Sequence, residues 1–338
     1  MKIKNIQYQE YQANLNNIFL NSQTAYSNKK SVIIKIITDK YIGLGEASPL
    51  DGFSKETFKE IIWTLELFIK SIVSDTEYTF KELLSLADIH CSDIPSLHFA
   101  VDTAIYDIEG QIRELPISKI LNPKCKNINY FSSIYQNNQS LDDIKSKSIK
   151  YKLGINNLEE DIKIFKFLKK RQLTLRIDAN QNYTLEEFQK IYPLLLDYNI
   201  EYFEEPIKNL NKDILYSLKK ISIAIDENIY QNHNYKTWIE ENLINTIIIK
   251  PGIFGGYKKI LSLIKLANHN NTNIILSSSL ANSIGNMAAI HLAAALNNNL
   301  EHGLNIYNFY NTFITQPIYN KTDISINLNN IRGLGITL

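Results

Sequence analysis

Cysteine is scarce. Only Cys91 and Cys125 occur in 338 residues, without metal-ligand spacing or a disulfide framework, which favours a reducing compartment. Net charge is also small, +1 at neutral pH, so there is no general field for nucleic acid or an anionic membrane surface. No apolar run approaches the roughly 18–20 residues of a membrane span. The opening residues, Met1 to Gln7, lack the long apolar core of a signal peptide. Internal repeats and low-complexity linkers are missing too. Hydrophobic content of 44% with 21% charged residues fits a soluble globular protein. These exclusions leave a cytoplasmic protein of enzyme size, with a small molecule as its partner, no nucleic acid and no membrane; self-association into a homo-oligomer stays open.

The first 46 residues alternate like antiparallel strands, with a hairpin expected between Ser31–Ile37 and Tyr41–Glu46 around Thr38-Asp39-Lys40. A helix follows, with Ser54 as its expected N-cap and Phe58, Ile61, Ile62, Leu65, Phe68 and Ile69 at helical spacing. Another is predicted from about Ser96 to Glu114, after Pro95. From Asn127 the pattern changes to strand–helix alternation. Strands are predicted at 127–134, 148–153, 174–179, 200–204, 221–226, 246–250, 273–278 and 301–305, with helices at Leu158–Lys169, Leu185–Tyr198, Lys258–Asn268 and Ile284–Asn297. Eight such units imply an α/β fold, a parallel sheet closed into a TIM-type barrel. The expected domains are an α+β capping lobe over 1–120, the barrel over 121–310, and a segment over 311–338 that returns, through Thr322–Ile326, to the first lobe.

Five of the strands end on charge. Lys152, Asp178, Glu204, Asp226 and Lys250 close successive strands, with steps in residue number of 26, 26, 22 and 24. One barrel unit takes about that length, and parallel strands aim their ends at one face, where barrel enzymes keep their chemistry. Three carboxylates there would repel one another and raise each other's pKa, which a hard divalent cation relieves. Mg²⁺ suits oxygen ligands. Lys150 lies two residues from Lys152 and so shares its face of the strand. A lysine near a metal and another cation has its neutral form favoured, which makes it a usable base. A carboxylate substrate on the metal would have its α-proton acidified, and removing it gives an enediolate whose added charge the metal stabilises. Singly, each acid could equally be a helix cap or a surface ion pair; the set is what carries the reading.

The set Lys150-x-Lys152, Asp178-Ala179-Asn180, Glu204-Glu205-Pro206, Asp226-Glu227 and Lys250 resembles the active site of the enolase superfamily, muconate-lactonizing-enzyme subgroup, whose sites pair a Lys or His base with Mg²⁺. The resemblance runs over nearly the whole chain, including Gly43-Leu44-Gly45-Glu46-Ala47-Ser48-Pro49. It implies a (β/α)7β barrel with an N-terminal α+β capping domain completed by the C-terminal segment. It also implies Asp178, Glu204 and Asp226 as Mg²⁺ ligands and Lys152 as general acid/base, with Lys250 across the substrate. Lys150 would contact the substrate carboxylate, and Asn180 and Glu227 would support the metal ligands.

Within the subgroup, four places look most like o-succinylbenzoate synthases: Pro49–Thr57, Lys250-Pro251 with Gly255-Gly256, Ser277–Gly285, and Glu301-His302-Gly303-Leu304. The substrate contacts this implies are Gly52, Phe53, Ser54, Ser278, Ser279, His302 and Gly303. The reaction implied is dehydration of 2-succinyl-6-hydroxy-2,4-cyclohexadiene-1-carboxylate to o-succinylbenzoate, feeding menaquinone synthesis. Dipeptide epimerases resemble Asp-x-Asp on the eighth strand, where this chain has Asn305 and Tyr307. Ala281 and Gln181 depart from the synthase pattern, which often has an acid and an Arg there. The alternatives are a dipeptide epimerase, an N-succinylamino-acid racemase, or a binding homologue without turnover. By sequence the histidines, His90, His98, His233, His269 and His291, form no cluster and read as ordinary surface or helix residues.

Overall fold

The computed structural model describes residues 1–20, 25–126, 128–134, 144–232 and 234–338. The first lobe opens with a three-stranded antiparallel sheet, β1 (Ile3–Leu20), β2 (Ala25–Thr38) and β3 (Ile42–Ala47). The expected hairpin is there. Thr38 closes it, its Oγ1 accepting from the Tyr41 N–H at 2.8 Å. Helices α1 (Phe58–Ser71), α2 (Phe80–Cys91), α3 (Pro95–Arg113) and α4 (Ile117–Leu121) follow. The cap of α1 is Thr57 rather than Ser54. Glu60 stands three residues after Thr57 and completes a reciprocal capping box. Ser54 closes the preceding turn instead, its Oγ accepting from the Leu50 N–H at 2.9 Å. Helix α2 was not expected; the same box, Thr79 with Glu82, starts it.

The lobe has its own core. Ile61, Leu65 and Phe68 of α1 pack with Val32, Ile34 and Ile36 of β2 and with Ala100, Val101 and Ala104 of α3. Strand β3 lies so close to α3 that a Cβ on Gly45 would stand 2.0 Å from the Ala100 carbonyl oxygen.

The second part is the barrel. Strands β5 (Ser133–Ile134), β6 (Ser148–Lys152), β7 (Thr174–Asp178), β8 (Ile200–Glu204), β9 (Ile223–Ile225), β10 (Thr246–Ile249) and β11 (Asn273–Leu276) form one parallel sheet in chain order. The predicted first strand is split. Its earlier half, β4 (Ile128–Phe131), pairs with β12 (Glu301–His302), and a Ser277–Gly303 bridge joins β12 to the end of β11, closing the ring. Between strands run α5 (Leu158–Lys169), α6 (Leu185–Leu195), α7 (Lys212–Ser217), α8 (Asn228–Gln231), α9 (Tyr235–Glu240), α10 (Pro251–Phe254), α11 (Tyr257–His269) and α12 (Ser283–Leu296). Tyr202, Ala224, Ile248 and Ile275 fill the space inside the barrel.

The end of the chain departs from expectation in part. Ser325–Asn327 forms β13, antiparallel to barrel strand β4 rather than on the first lobe. The contact with the first lobe comes later, where the Leu334 N–H donates to Asp107 of α3 at 2.8 Å and the Ile117 N–H donates to the Gly333 carbonyl.

Gly45→Ala should cost about 1–3 kcal/mol by overpacking β3 against α3 and lower the melting temperature; an unchanged melting temperature would contradict this packing.

Candidate active site

Strand register brings the charged residues together. Lys152 is paired with Asp178 across β6 and β7, and Asp178 with Glu204 across β7 and β8. Glu204 then pairs with Ala224, so Asp226 stands two residues higher. The barrel's stagger turns the row into a rising arc. Lys152 on β6 and Lys250 after β10 lie four strands apart, on opposite sides of the ring.

The acids and lysines compensate one another. The Lys150 ammonium sits between Asp178 at 2.9 Å and Glu204 at 2.8 Å. Lys250 pairs with Asp226. Burial works against the Lys150 charge, but Asp178 and Glu204 outweigh it and hold the ammonium well above the ordinary lysine value. Lys250 is raised likewise, with Asp226 and Glu227 outweighing burial. Lys152 moves the other way. Burial, reinforced by the Lys150 charge and opposed by Asp178, pushes it below an ordinary lysine. Burial pushes the Glu204 carboxyl up to about 8, and the Asp178 and Asp226 charges add to this. For Asp178, Lys150 overcomes burial and keeps the carboxyl below its usual range.

Two buried oxygens at this mouth, Glu204 Oε2 and Asp226 Oδ1, have no hydrogen-bond partner. A buried carboxylate oxygen without a partner is costly, and a divalent cation is a fitting partner for it. Among the described residues no three acidic, histidine or cysteine side chains already converge as a cage. The carboxylates are drawn onto ammonium groups instead. An Asp, Glu, Asp set with unfilled oxygens fits Mg²⁺.

Around this arc, Asn180 takes a left-handed backbone (φ 46°) and donates its N–H to Asp178 Oδ1 at 3.1 Å. Glu227 is buried and its carboxyl is pushed up to about 8, by burial and then by Asp226. Glu205 follows Glu204 in the motif. It is fully buried and accepts from the Asp226 and Asn228 N–H groups at 2.8 and 2.9 Å, from Asn228 Nδ2 at 2.5 Å and from Gln181 Nε2 at 3.3 Å. It fixes the strand end that carries Asp226. The doublet of acids before Pro206 was the available signal. Tyr230 is a second omission: its phenolic oxygen accepts from the Lys250 N–H at 2.9 Å.

The first lobe supplies the roof. Phe53 lies 4.8 Å from the Lys250 ammonium, measured to the ring centroid. Gly52, at φ 77°, makes the turn that carries it, and Lys29, buried on β2, donates to the Pro49 carbonyl at the base of the loop. Glu46 of β3 reaches the start of α12, accepting from the Asn282 and Gly285 N–H groups at 2.7 and 2.8 Å, a favourable place for a carboxylate. Ser279 is buried beside Gly252, and the Ser278 hydroxyl accepts from the Leu280 N–H at 3.1 Å. Gly303 belongs to the bridge that closes the barrel.

His302 departs from its expected place in the substrate pocket. It is buried, its Nδ1 accepts from the Leu276 N–H at 3.0 Å, and burial followed by the Arg176 charge pushes it down to about 3. It is a neutral packing residue joining β12 to β11. The other described histidines stand on helices, His90 on α2, His98 on α3, His269 on α11 and His291 on α12, as a surface or helix reading expects. His98 is buried with Asp88 at 3.2 Å, and His291 is buried between Ser118 and Leu334. His233 lies outside the described residues.

Two family models match this chain: mandelate racemase / muconate lactonizing enzyme, N-terminal domain, over residues 9–122, and enolase C-terminal domain-like, over 137–338. The chain belongs to the enolase superfamily. A hydrophobic dipeptide epimerase of Enterococcus faecalis is 26% identical over 315 residues, covering 88% of each chain. An o-succinylbenzoate synthase of Vibrio cholerae is 25% identical over 305 residues, 88% of this chain and 87% of its own. The solved dipeptide epimerase of Enterococcus faecalis V583, complexed with Mg and L-Leu-L-Tyr, superposes over 100% of both chains with a TM-score of 0.87 at 24% identity, a likeness of fold.

Glu205→Gln should lower Mg²⁺ affinity by about 10–100-fold, as outer-shell changes do. All four partners of Glu205 are N–H donors, so an amide NH₂ would face one of them in either orientation. Isothermal titration reads the effect, and wild-type affinity would remove Glu205 from this role.

Proposed function

We propose that this enolase-superfamily enzyme, with Mg²⁺ as cofactor, dehydrates 2-succinyl-6-hydroxy-2,4-cyclohexadiene-1-carboxylate to o-succinylbenzoate, a step of menaquinone synthesis. The observation that carries this reading is at the end of the eighth strand. Where an epimerase would need acids for a dipeptide's ammonium, Asn305 and Tyr307 stand, and both turn toward the C-terminal segment. Asn305 donates to the Lys321 carbonyl at 3.1 Å, and the Tyr307 hydroxyl donates to the Tyr319 carbonyl at 3.0 Å. A cationic substrate would lack its counter-charge there. An anionic one with a ring finds Lys250, already facing the Phe53 ring.

Asp178, Glu204 and Asp226 would hold Mg²⁺, whose charge would favour the build-up of negative charge on the substrate carboxylate as its α-proton leaves. Lys150 contacts that carboxylate. Lys152, whose neutral form is favoured by burial, takes the α-proton. The C–OH bond breaks as the ring electrons move to aromatise, and Lys152 returns its proton to the departing hydroxyl on the same face, so water leaves. Lys250 stays charged on the opposite side. Asn180, Glu205 and Glu227 keep the ligands in place, and the loop at Gly52–Ser54 closes the roof against water. Residues 1–120 act as the cap, 121–310 as the catalytic barrel and 311–338 as the segment that ties them.

A second reading, dipeptide epimerisation, has support in the Enterococcus faecalis relatives and in the Lys152 and Lys250 placement on opposite sides, which suits a two-base exchange. The experiment is loss of diene absorbance with Mg²⁺, run beside L-Ala-L-Glu, L-Leu-L-Tyr and N-succinyl amino acids in D₂O. Fast dehydration with slow α-deuteration is expected. Fast deuteration without dehydration would move the function to epimerase or racemase. Lys152→Ala should lower turnover by more than the roughly 10²–10⁴-fold assigned to general acid–base catalysis while Mg²⁺ binding persists.

A further inference from the structure

Beside Phe53 lies a cavity of about 300 Å³. That is the small end of ligand pockets, which run from about 300 to 1,000 Å³. Its walls are apolar and aromatic, including Phe53, Tyr230 and Phe254, and it is lined by Lys55, Lys236 and Lys259, with no acid among the lining residues. These three lysines come from three places in the chain: the loop before α1, helix α9 and helix α11. None makes an ion pair with a described residue. The nearest acid on the loop, Glu56, is turned to the start of α3, where it accepts from the Ser96 N–H at 2.9 Å. The Lys259 ammonium donates to the Phe254 carbonyl at 2.9 Å and lies 4.5 Å over the Phe254 ring. Burial, and then the Lys55 and Lys236 charges, push it below the ordinary lysine range.

Three like charges around one hollow repel one another, and an anion turns that cost into attraction. Aromatic walls add a seat for an apolar body. We infer that this cavity binds a small carboxylate carrying an aromatic or apolar group. The cavity adjoins the proton-transfer arc: Phe53 and Tyr230 line it, and the same two residues touch Lys250. The carboxylate has two sources, a free molecule or the far carboxylate of a dianionic substrate reaching past Phe53.

The test titrates benzoate into the full chain by calorimetry, with and without Mg²⁺, using wild type, Lys236→Glu and Lys259→Glu. Melting temperature serves as the control for folding. Saturable benzoate binding that does not need Mg²⁺, weakened at least about tenfold in each variant, is expected, as is weaker binding of acetate. Steady-state kinetics separates the sources: a raised KM with unchanged kcat in the variants marks the substrate's own far carboxylate, and an unchanged KM marks a free one. Benzoate affinity equal in wild type and both variants, or no saturable binding at millimolar concentration, would overturn the site. Neither result depends on which reaction the barrel performs.

Discussion

The structure depends on how the barrel mouth tolerates buried carboxylates. Asp178, Glu204, Glu205, Asp226 and Glu227 are all buried within a few ångströms of strand end. Isolated ionised carboxylates are among the most expensive groups to bury. Lys150 and Lys250 offset that cost by direct pairing, and the backbone N–H groups held by Glu205 offset more. Of the three lysines at the mouth, Lys150 and Lys250 are held above the ordinary value by the acids beside them, and Lys152 is pushed below it by burial.

This arrangement also explains why the first lobe is needed. The barrel alone leaves its mouth open on the side of Lys250. Lys29 and the turn closed by Ser54 set Phe53 there. Glu46 fixes the same lobe to the start of α12, so the roof and the seventh-strand loop are held by one short strand, β3. The tight approach of Gly45 to α3 places that strand.

Much of this was legible in the residues because two periodicities carry it. The strand–helix alternation after residue 127 and the charged strand ends at Lys152, Asp178, Glu204, Asp226 and Lys250 are local patterns, and the barrel follows from them. Helices such as Leu158–Lys169 read directly from their apolar spacing. What was not legible depends on tertiary partners. The cap of α1 is an exception: Thr57 with Glu60 three residues on is a local capping-box signal that the expectation of Ser54 passed over. The split of the first strand comes from its pairing with β12 and β13. His302 has a polar ring beside substrate-like neighbours in sequence, yet its Nδ1 is taken by the Leu276 N–H across the seam. Glu205 looks like a twin of Glu204, but it lies just past the strand in a left-handed backbone (φ 43°) and turns to the N–H groups of Asp226 and Asn228.

The most direct test of the charge-compensation account counts protons. Burial, working against the Lys150 charge, holds the Glu204 carboxyl up near 8, and a metal needs its ligand as the anion. Calorimetric titration of Mg²⁺ in two buffers of different ionisation enthalpy measures the protons released per ion bound. The account predicts release at pH 7 that fades by pH 9, above the raised value, with affinity rising over the same window. Mg²⁺ binding at pH 7 without proton release would contradict it.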